Sequence, residues 1–223
     1  RRAVMPLAPS LISRHLTGMH VHTLILGAGA AGLHCAAFSG PDTLVVDHAK
    51  AAGEKIRISG GGRCNFTNTG TSAANFISQN PHFAKSALAR YTQWDFIDLV
   101  DRHGIAWHEK TLGQLFCDNS AKDIIAMLIA EMGDANLWLQ TEVGNIRHDS
   151  ALFHVAVKRH GTAQIVTADN LVVATGGKSI PKMGATGLAY DIARQFRVRV
   201  TETRAALVPF TFSDEKFKVL AGT

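Results

Sequence analysis

Apolar and polar positions change period along the chain often enough to mark its elements. Val21-His22-Thr23-Leu24-Ile25-Leu26 is a short apolar run followed at once by glycines, the pattern of a buried strand. An Ala-rich stretch over 30–38 predicts a helix, Pro41-Asp42 marks a turn, and Thr43-Leu44-Val45-Val46-Asp47 predicts a second strand. Strand, helix and strand in so short a span predict a parallel βαβ unit. Residues 50–80 are rich in Gly, Ser, Asn and Thr and are read as one long functional loop. Residues 81–103 predict a single helix carrying Leu88, Tyr91, Phe96, Ile97, Leu99 and Val100. Residues 121–132 predict another, with Ser120 as N-cap. From 137 to 173 the chain alternates in β-like runs, among them Leu171-Val172-Val173, and a helix over 187–196 follows.

Composition narrows the class. The 223 residues are 46% hydrophobic and 18% charged, which argues for a soluble globular fold and against disorder, collagen or a coiled coil. The formal charge of +5 is modest and not gathered into a long basic run, so no nucleic-acid partner is expected. Cys35, Cys64 and Cys117 form no C-x-x-C pair. That argues against a disulfide scaffold, a zinc ribbon or a dithiol redox centre, and fits a cytoplasmic location. The most apolar stretch, 21–38, switches period halfway and holds three glycines, so it reads as strand plus helix and not as a membrane span. Residues 1–18 contain Arg1, Arg2 and Arg14 and no acid, a transit-peptide character. The preferred reading of 1–19 is a plain extension, with the domain beginning near Met19.

Gly27-Ala28-Gly29-Ala30-Ala31-Gly32 fits G-x-G-x-x-G. The pattern alone is weak, but here a strand precedes it, a helix follows, and Asp47 ends the next strand at the expected distance. Gly27 permits the tight turn, Gly29 clears a path for a pyrophosphate, and Gly32 lets helix and strand pack closely. Asp47 is placed to accept from ribose hydroxyls. Ala174-Thr175-Gly176-Gly177 closes a later strand and, with the first motif, favours FAD over NAD. In Ser59-Gly60-Gly61-Gly62-Arg63-Cys64-Asn65, three successive glycines are costly to order and suggest backbone held against a ligand. Arg63 adds a cationic fork and Asn65 an amide. A flexible glycine hinge is the competing reading of that run.

Together, the stretches from Leu24 to Gly32, from Gly53 to Asn68 and from Ala174 to Gly187 resemble the HI0933-like flavoproteins, the NAD(P)/FAD-dependent oxidoreductases of the BaiN/RdsA family. The resemblance runs from about residue 20 to the end. It implies an α/β fold: a Rossmann-like FAD-binding domain, parallel sheet plus β-meander, over 20–209, with the start of an inserted β-rich domain over 210–223. It implies FAD as cofactor, NAD(P)H as transient reductant and a small-molecule acceptor, in some relatives a conjugated C=C bond. Carried onto this chain, Gly27, Gly29, Ala30, Ala31 and Gly32 would face the pyrophosphate and Asp47 the adenosine ribose. Lys55 and Ser59, Gly60, Gly61, Gly62, Arg63, Cys64 and Asn65 would line the cofactor cleft. Thr175, Gly176 and Gly177 would approach from the other side, and Val143 would touch the adenine. No catalytic acid or base is assigned. Where many relatives have a capping glycine, this chain has Arg197-Val198. A flavoprotein acting on tRNA and a non-catalytic remnant are the rival readings.

Other residues attract attention for weaker reasons. His20 and His22 share a strand face, His103 and His108 are read as flanking an apolar strand, and none has cysteine or carboxylate neighbours at metal spacing. Cys117 reads as a packed thiol, and Cys64 as a thiol near the flavin without a partner cysteine. Trp94, Tyr91 and Phe96 are expected in the core.

Overall fold

The computed structural model describes residues 18–179 and 186–204. The expected start of an inserted domain at 210–223 and the extension ahead of the domain, up to residue 17, lie outside them. The chain divides into two compact units, one through Ala189 and one from Tyr190.

In the first unit, β1 (Met19–Leu26) leads through a glycine turn into α1 (Ala30–Ala36) and β2 (Thr43–Val46). Leu24, Ile25 and Leu26 of β1 and all of β2 are buried, because the parallel pair is covered on both faces. Their register sets Leu24 against Leu44 and Leu26 against Val46. Next come α2 (Glu54–Ile58), β3 (Asn65–Asn68), α3 (Lys85–Arg90), α4 (Gln93–Arg102), β4 (Trp107–Glu109) and β5 (Gln114–Cys117). They are followed by α5 (Ala121–Glu131), β6 (Asn136–Trp138), β7 (Thr141–Asp149), β8 (Leu152–Arg159) and β9 (Thr162–Val173). A six-stranded sheet has the order β6-β2-β1-β9-β8-β7, and a small sheet the order β3-β5-β4. The β6, β2, β1 and β9 strands are parallel, whereas β7, β8 and β9 form an antiparallel meander. This is the Rossmann-like parallel sheet with meander that the sequence implied.

Two predicted elements come out differently. The long loop over 50–80 contains α2 and β3. The single helix over 81–103 is two helices, broken where Tyr91 turns extended at φ −142°. Thr92 and Asp95 then form a capping box: the Thr92 hydroxyl and amide both donate to Asp95, and Thr92 accepts from the Asp95 amide. These hydrogen bonds hold the Asp95 carboxyl below its ordinary range. Ser120 caps α5 as expected, in a second capping box with Asp123. His103 caps the end of α4 and pairs with Glu131, while His108 lies within β4.

Helices α1 and α5 pack on one face of the parallel sheet, burying Leu33, Ile124, Met127 and Leu128 against Ile25 and Val45. Cys117 is fully buried there, and burial pushes its thiol up to about 12, the packed role its sequence suggested.

The last described helix, α6, spans Leu188–Gln195, with all but its first two residues in the second unit. Its end is a Schellman motif. The Val198 amide donates to Ala193 O at 2.8 Å, the Arg197 amide to Arg194 O at 3.0 Å, and Arg197 sits at φ 57°. Arg197 thus occupies the left-handed position that glycine favours. Replacing it with glycine is expected to raise stability by about 0.5–1 kcal/mol in urea unfolding, because the backbone strain goes while both hydrogen bonds stay.

Candidate functional site

The parallel strands β1, β2 and β9 end on one edge of the sheet, and the segments leaving that edge wall one cleft of about 640 Å³. Open α/β sheets bind ligands at this edge, and the volume suits a cofactor.

The first wall is the turn after β1. Gly27 donates to Val46 O at 2.8 Å, and a Cβ on it would lie 2.5 Å from Ala174 O. A Cβ on Gly32 would collide with Gly27 O. The protein's own packing therefore dictates both glycines. Gly29 is different. Its φ of −86° and ψ of −171° suit any residue, and a Cβ there would meet nothing within 4 Å. No protein atom requires a glycine at this position. The first helical hydrogen bond is Leu33 N–H to Gly29 O, so the Ala30 and Ala31 amides precede it.

Asp47 braces this turn. Its carboxylate accepts from the Ala28 amide at 2.6 Å and the Ala49 amide at 2.8 Å, while His48 approaches to 3.4 Å. This bracing was not anticipated: the sequence pointed to Asp47 only as a partner for a ligand.

The second wall runs from α2 to β3. Gly53, at φ 69°, begins α2 and donates to Ala28 O at 2.8 Å, tying the helix to the first turn. Lys55 reaches across to Ser179 Oγ at 3.0 Å and Gly177 O at 3.5 Å, so it links this wall to the segment after β9. Gly60, Gly61 and Gly62 are all left-handed, with φ of 55°, 66° and 85°. Gly60 also packs so close to the Phe116 ring that a Cβ would lie 2.7 Å from it. The run makes a sharp left-handed turn that delivers Ser59, Cys64 and Asn65 to the cleft, while the three glycines themselves do not line it. With its amide turned so that the nitrogen faces them, the Asn65 side chain would donate to Thr67 O at 3.1 Å and Leu115 O at 3.3 Å, across the β3–β5 pair.

The third wall follows β9. Ala174 N–H donates to Leu26 O at 2.8 Å, and Thr175 and Gly176 face the cleft. The Thr175 hydroxyl oxygen is buried and has no hydrogen-bond partner among the described residues. A buried polar atom left unpaired is costly unless something completes it.

The far end of the cleft is apolar, built from Phe66, Tyr91, Phe96, Ile124 and Leu128. Tyr91 and Phe96 thus line the cleft instead of only filling the core, and Trp94 is 55% exposed. His34 closes this end, edge-on to Tyr91 at 4.8 Å and Phe38 at 5.1 Å. Burial lowers the His34 pKa, and Glu131 offsets this in part. The folded chain therefore favours neutral His34, and the unfolded chain binds more protons below its ordinary value of 6.5. Stability is expected to fall as the pH drops from 7.5 through 6.5 to 5.5, with a shallower fall in His34→Gln, read as melting temperature against pH.

A second cavity of about 630 Å³ lies beyond His34 and Tyr91 and is lined by Asp95, Asp98, Asp101 and Glu131. Its four carboxylates outnumber Arg102 and would repel a diphosphate, so of these two cavities the first is the dinucleotide candidate.

The cleft brings together Gly27, Gly29, Ala30, Ala31, Asp47, Lys55, Ser59, Cys64, Asn65, Thr175 and Gly176. Gly32, Gly60, Gly61, Gly62, Arg63 and Gly177 adjoin these residues without lining it, and Val143 lies in β7 opposite Val157. Sheet pairing also sets Cys117 near Cys64, through Cys117 N–H to Arg63 O at 2.9 Å. Burial raises both thiols, so neither is suited to act as a thiolate nucleophile. Among the described residues no cluster of three metal-binding side chains occurs, and no helix is long and apolar enough to cross a membrane.

A family model, the HI0933-like protein Rossmann domain, matches residues 21–216. The chain belongs to that family. Its relatives include the ribosomal RNA dihydrouridine synthase of Escherichia coli, 51% identical over 89% of this chain and 51% of the relative. The protein of the same name from Haemophilus influenzae is 48% identical over 87% and 50%. The 3-dehydro-bile acid delta(4,6)-reductase of Clostridium scindens is 25% identical over 89% and 49%. The chain spans about half the length of these relatives. Among solved structures, the 3-ketosteroid-delta4-(5alpha)-dehydrogenase of Rhodococcus jostii shares the fold, with a TM-score of 0.53 at 14% identity over 72% of this chain and 46% of that one.

Proposed function

We propose that this chain is the cofactor-binding part of an FAD-dependent reductase that takes electrons from NAD(P)H and saturates a conjugated C=C bond. The uracil ring of ribosomal RNA is the preferred substrate. The observation that carries the flavin reading is the contrast within one motif: Gly27 and Gly32 are fixed by packing, whereas Gly29 faces open cleft in a conformation open to any residue. The unpaired Thr175 hydroxyl on the opposite wall supports the same reading, since a bound cofactor supplies the partner the protein lacks.

Bound FAD would supply hydride-transfer chemistry, and the chain's residues would supply position and charge. The turn over 27–31 would receive the diphosphate on backbone amides. Asp47, already anchored on its own backbone, would use its remaining acceptor capacity on ribose hydroxyls. Lys55, held beside Gly176, would place a cation near the ring system. Phe66, Tyr91 and Phe96 would keep water from the apolar end.

The substrate preference comes from the relatives. The two at 51% and 48% identity are named for dihydrouridine synthesis in ribosomal RNA, which reverses the weight that scattered charge gave against nucleic acid. The steroid-like substrate is the second reading and rests on the relative at 25%. In both, a conjugated C=C bond is reduced. The test is to load the protein with FAD and add NADH or NADPH without oxygen. Bleaching of the visible flavin bands followed by dihydrouridine in added ribosomal RNA supports the proposal. A colourless protein that takes up no FAD refutes it, and reoxidation by an enone but not by RNA moves it to the second reading.

A further inference from the structure

We infer that the segments flanking α2 carry a docking site for the RNA backbone, with Arg63 and Lys50 as its phosphate contacts; the inference rests on the RNA reading above. Residues 47–65 hold Lys50, Lys55, Arg57 and Arg63 against only Asp47 and Glu54. The strip's net charge is +2. The four cations are not equivalent. Lys55 is committed to Ser179 and Gly177. Arg57 is half-buried, with its Nε out of contact with solvent. Arg63 and Lys50 are exposed, and neither has a side-chain hydrogen bond or ion pair among the described residues.

Both adjoin residues that line the cleft. Arg63 follows the left-handed glycine turn and precedes Cys64 and Asn65, which line the cleft, yet it does not line the cleft itself. The turn holds its backbone rigidly, with Arg63 N–H to Gly60 O at 3.3 Å and Cys117 N–H to Arg63 O at 2.9 Å. Lys50 follows Asp47, His48 and Ala49, which line the cleft ahead of α2. Asp47 is turned inward onto the Ala28 and Ala49 amides, so its charge is partly satisfied within the protein. Two exposed, unpaired cations, each next in sequence to residues that line the cleft, suit phosphates of a chain from which one base enters. Elsewhere in the described chain Arg194 and Arg204 are paired with carboxylates, while Lys85, Arg90, Lys122 and Arg147 are exposed without an ion pair; what distinguishes Arg63 and Lys50 is that each directly adjoins residues lining the cleft.

The test is fluorescence anisotropy of a labelled single-stranded oligouridylate with the FAD-saturated protein, across a salt series. Arg63→Gln and Lys50→Gln should each weaken binding about 3- to 10-fold at low salt and lower the slope of log affinity against log salt by about 0.7. Arg63→Lys should restore most of the slope. Arg147→Gln, which removes an exposed cation from the meander, should change neither quantity. Unchanged slopes in the first two variants, or an equal loss in Arg147→Gln, overturn the inference. A wild-type protein that holds FAD but does not bind the oligonucleotide also overturns it, and leaves the flavin reading standing. Failure to take up FAD counts against the flavin reading separately.

Discussion

Gly29→Val is expected to leave the fold intact and remove the cofactor. The Cβ at this position points into open space and the backbone is ordinary, so the change in unfolding free energy should stay within about 1 kcal/mol. The isopropyl group would stand where the diphosphate must approach, and FAD affinity should fall at least about 100-fold, equivalent to about 3 kcal/mol. Gly32→Ala should behave in the opposite way. Its Cβ would run into Gly27 O, a backbone atom fixed between two strands, and the cost should be on the order of 3 kcal/mol in folding. Urea unfolding and flavin titration of both variants separate the two roles. If Gly29→Val kept full flavin affinity, the diphosphate would not lie against this turn.

Asp47→Ala is expected to give the second large effect, on both quantities together. The carboxylate accepts from two amides, at 2.6 and 2.8 Å, in a side chain only 16% exposed. Hydrogen bonds to a charged acceptor contribute about 1.5–3 kcal/mol each, so losing both should cost roughly 3 kcal/mol of stability after water repairs part of the loss. The freed Ala28 amide sits in the turn itself, so flavin affinity should fall about 10- to 100-fold even in molecules that stay folded. Asp47→Asn should lie between, because its amide nitrogen would face one of the two N–H donors. An Asp47→Ala variant with wild-type stability would show that the turn holds its shape unaided.

Much of this was legible from local pattern, and what was not depends on partners distant in sequence. The first strand, its glycine turn, α1 and β2 were visible because apolar period and turn residues agree at each step. Ser120 announced α5 in the same way. The break before α4 was also written locally, in the Thr92–Asp95 capping box, but the apolar spacing through Phe96 and Val100 masked it. The β3 strand, Asn65-Phe66-Thr67-Asn68, has no apolar alternation and exists because β5 pairs with it. The triglycine run was recognisable as special. Its purpose, a left-handed turn that places Ser59, Cys64 and Asn65, needed the backbone angles. Spacing made Gly27, Gly29 and Gly32 look like one device, and only the neighbours of each absent Cβ separate two packing glycines from the one that leaves room. The Tyr91 and Phe96 rings looked like core because helical spacing cannot tell a core wall from a cleft wall.

The most direct measurement is the change in backbone amide ¹⁵N–¹H shifts as FAD is titrated into isotope-labelled protein. The largest changes are expected at Gly29, Ala30, Ala31 and Thr175, with smaller ones along Ser59, Cys64 and Asn65. Saturable changes confined to the acidic cavity around Asp98 and Glu131, or no saturable change anywhere, would contradict this expectation.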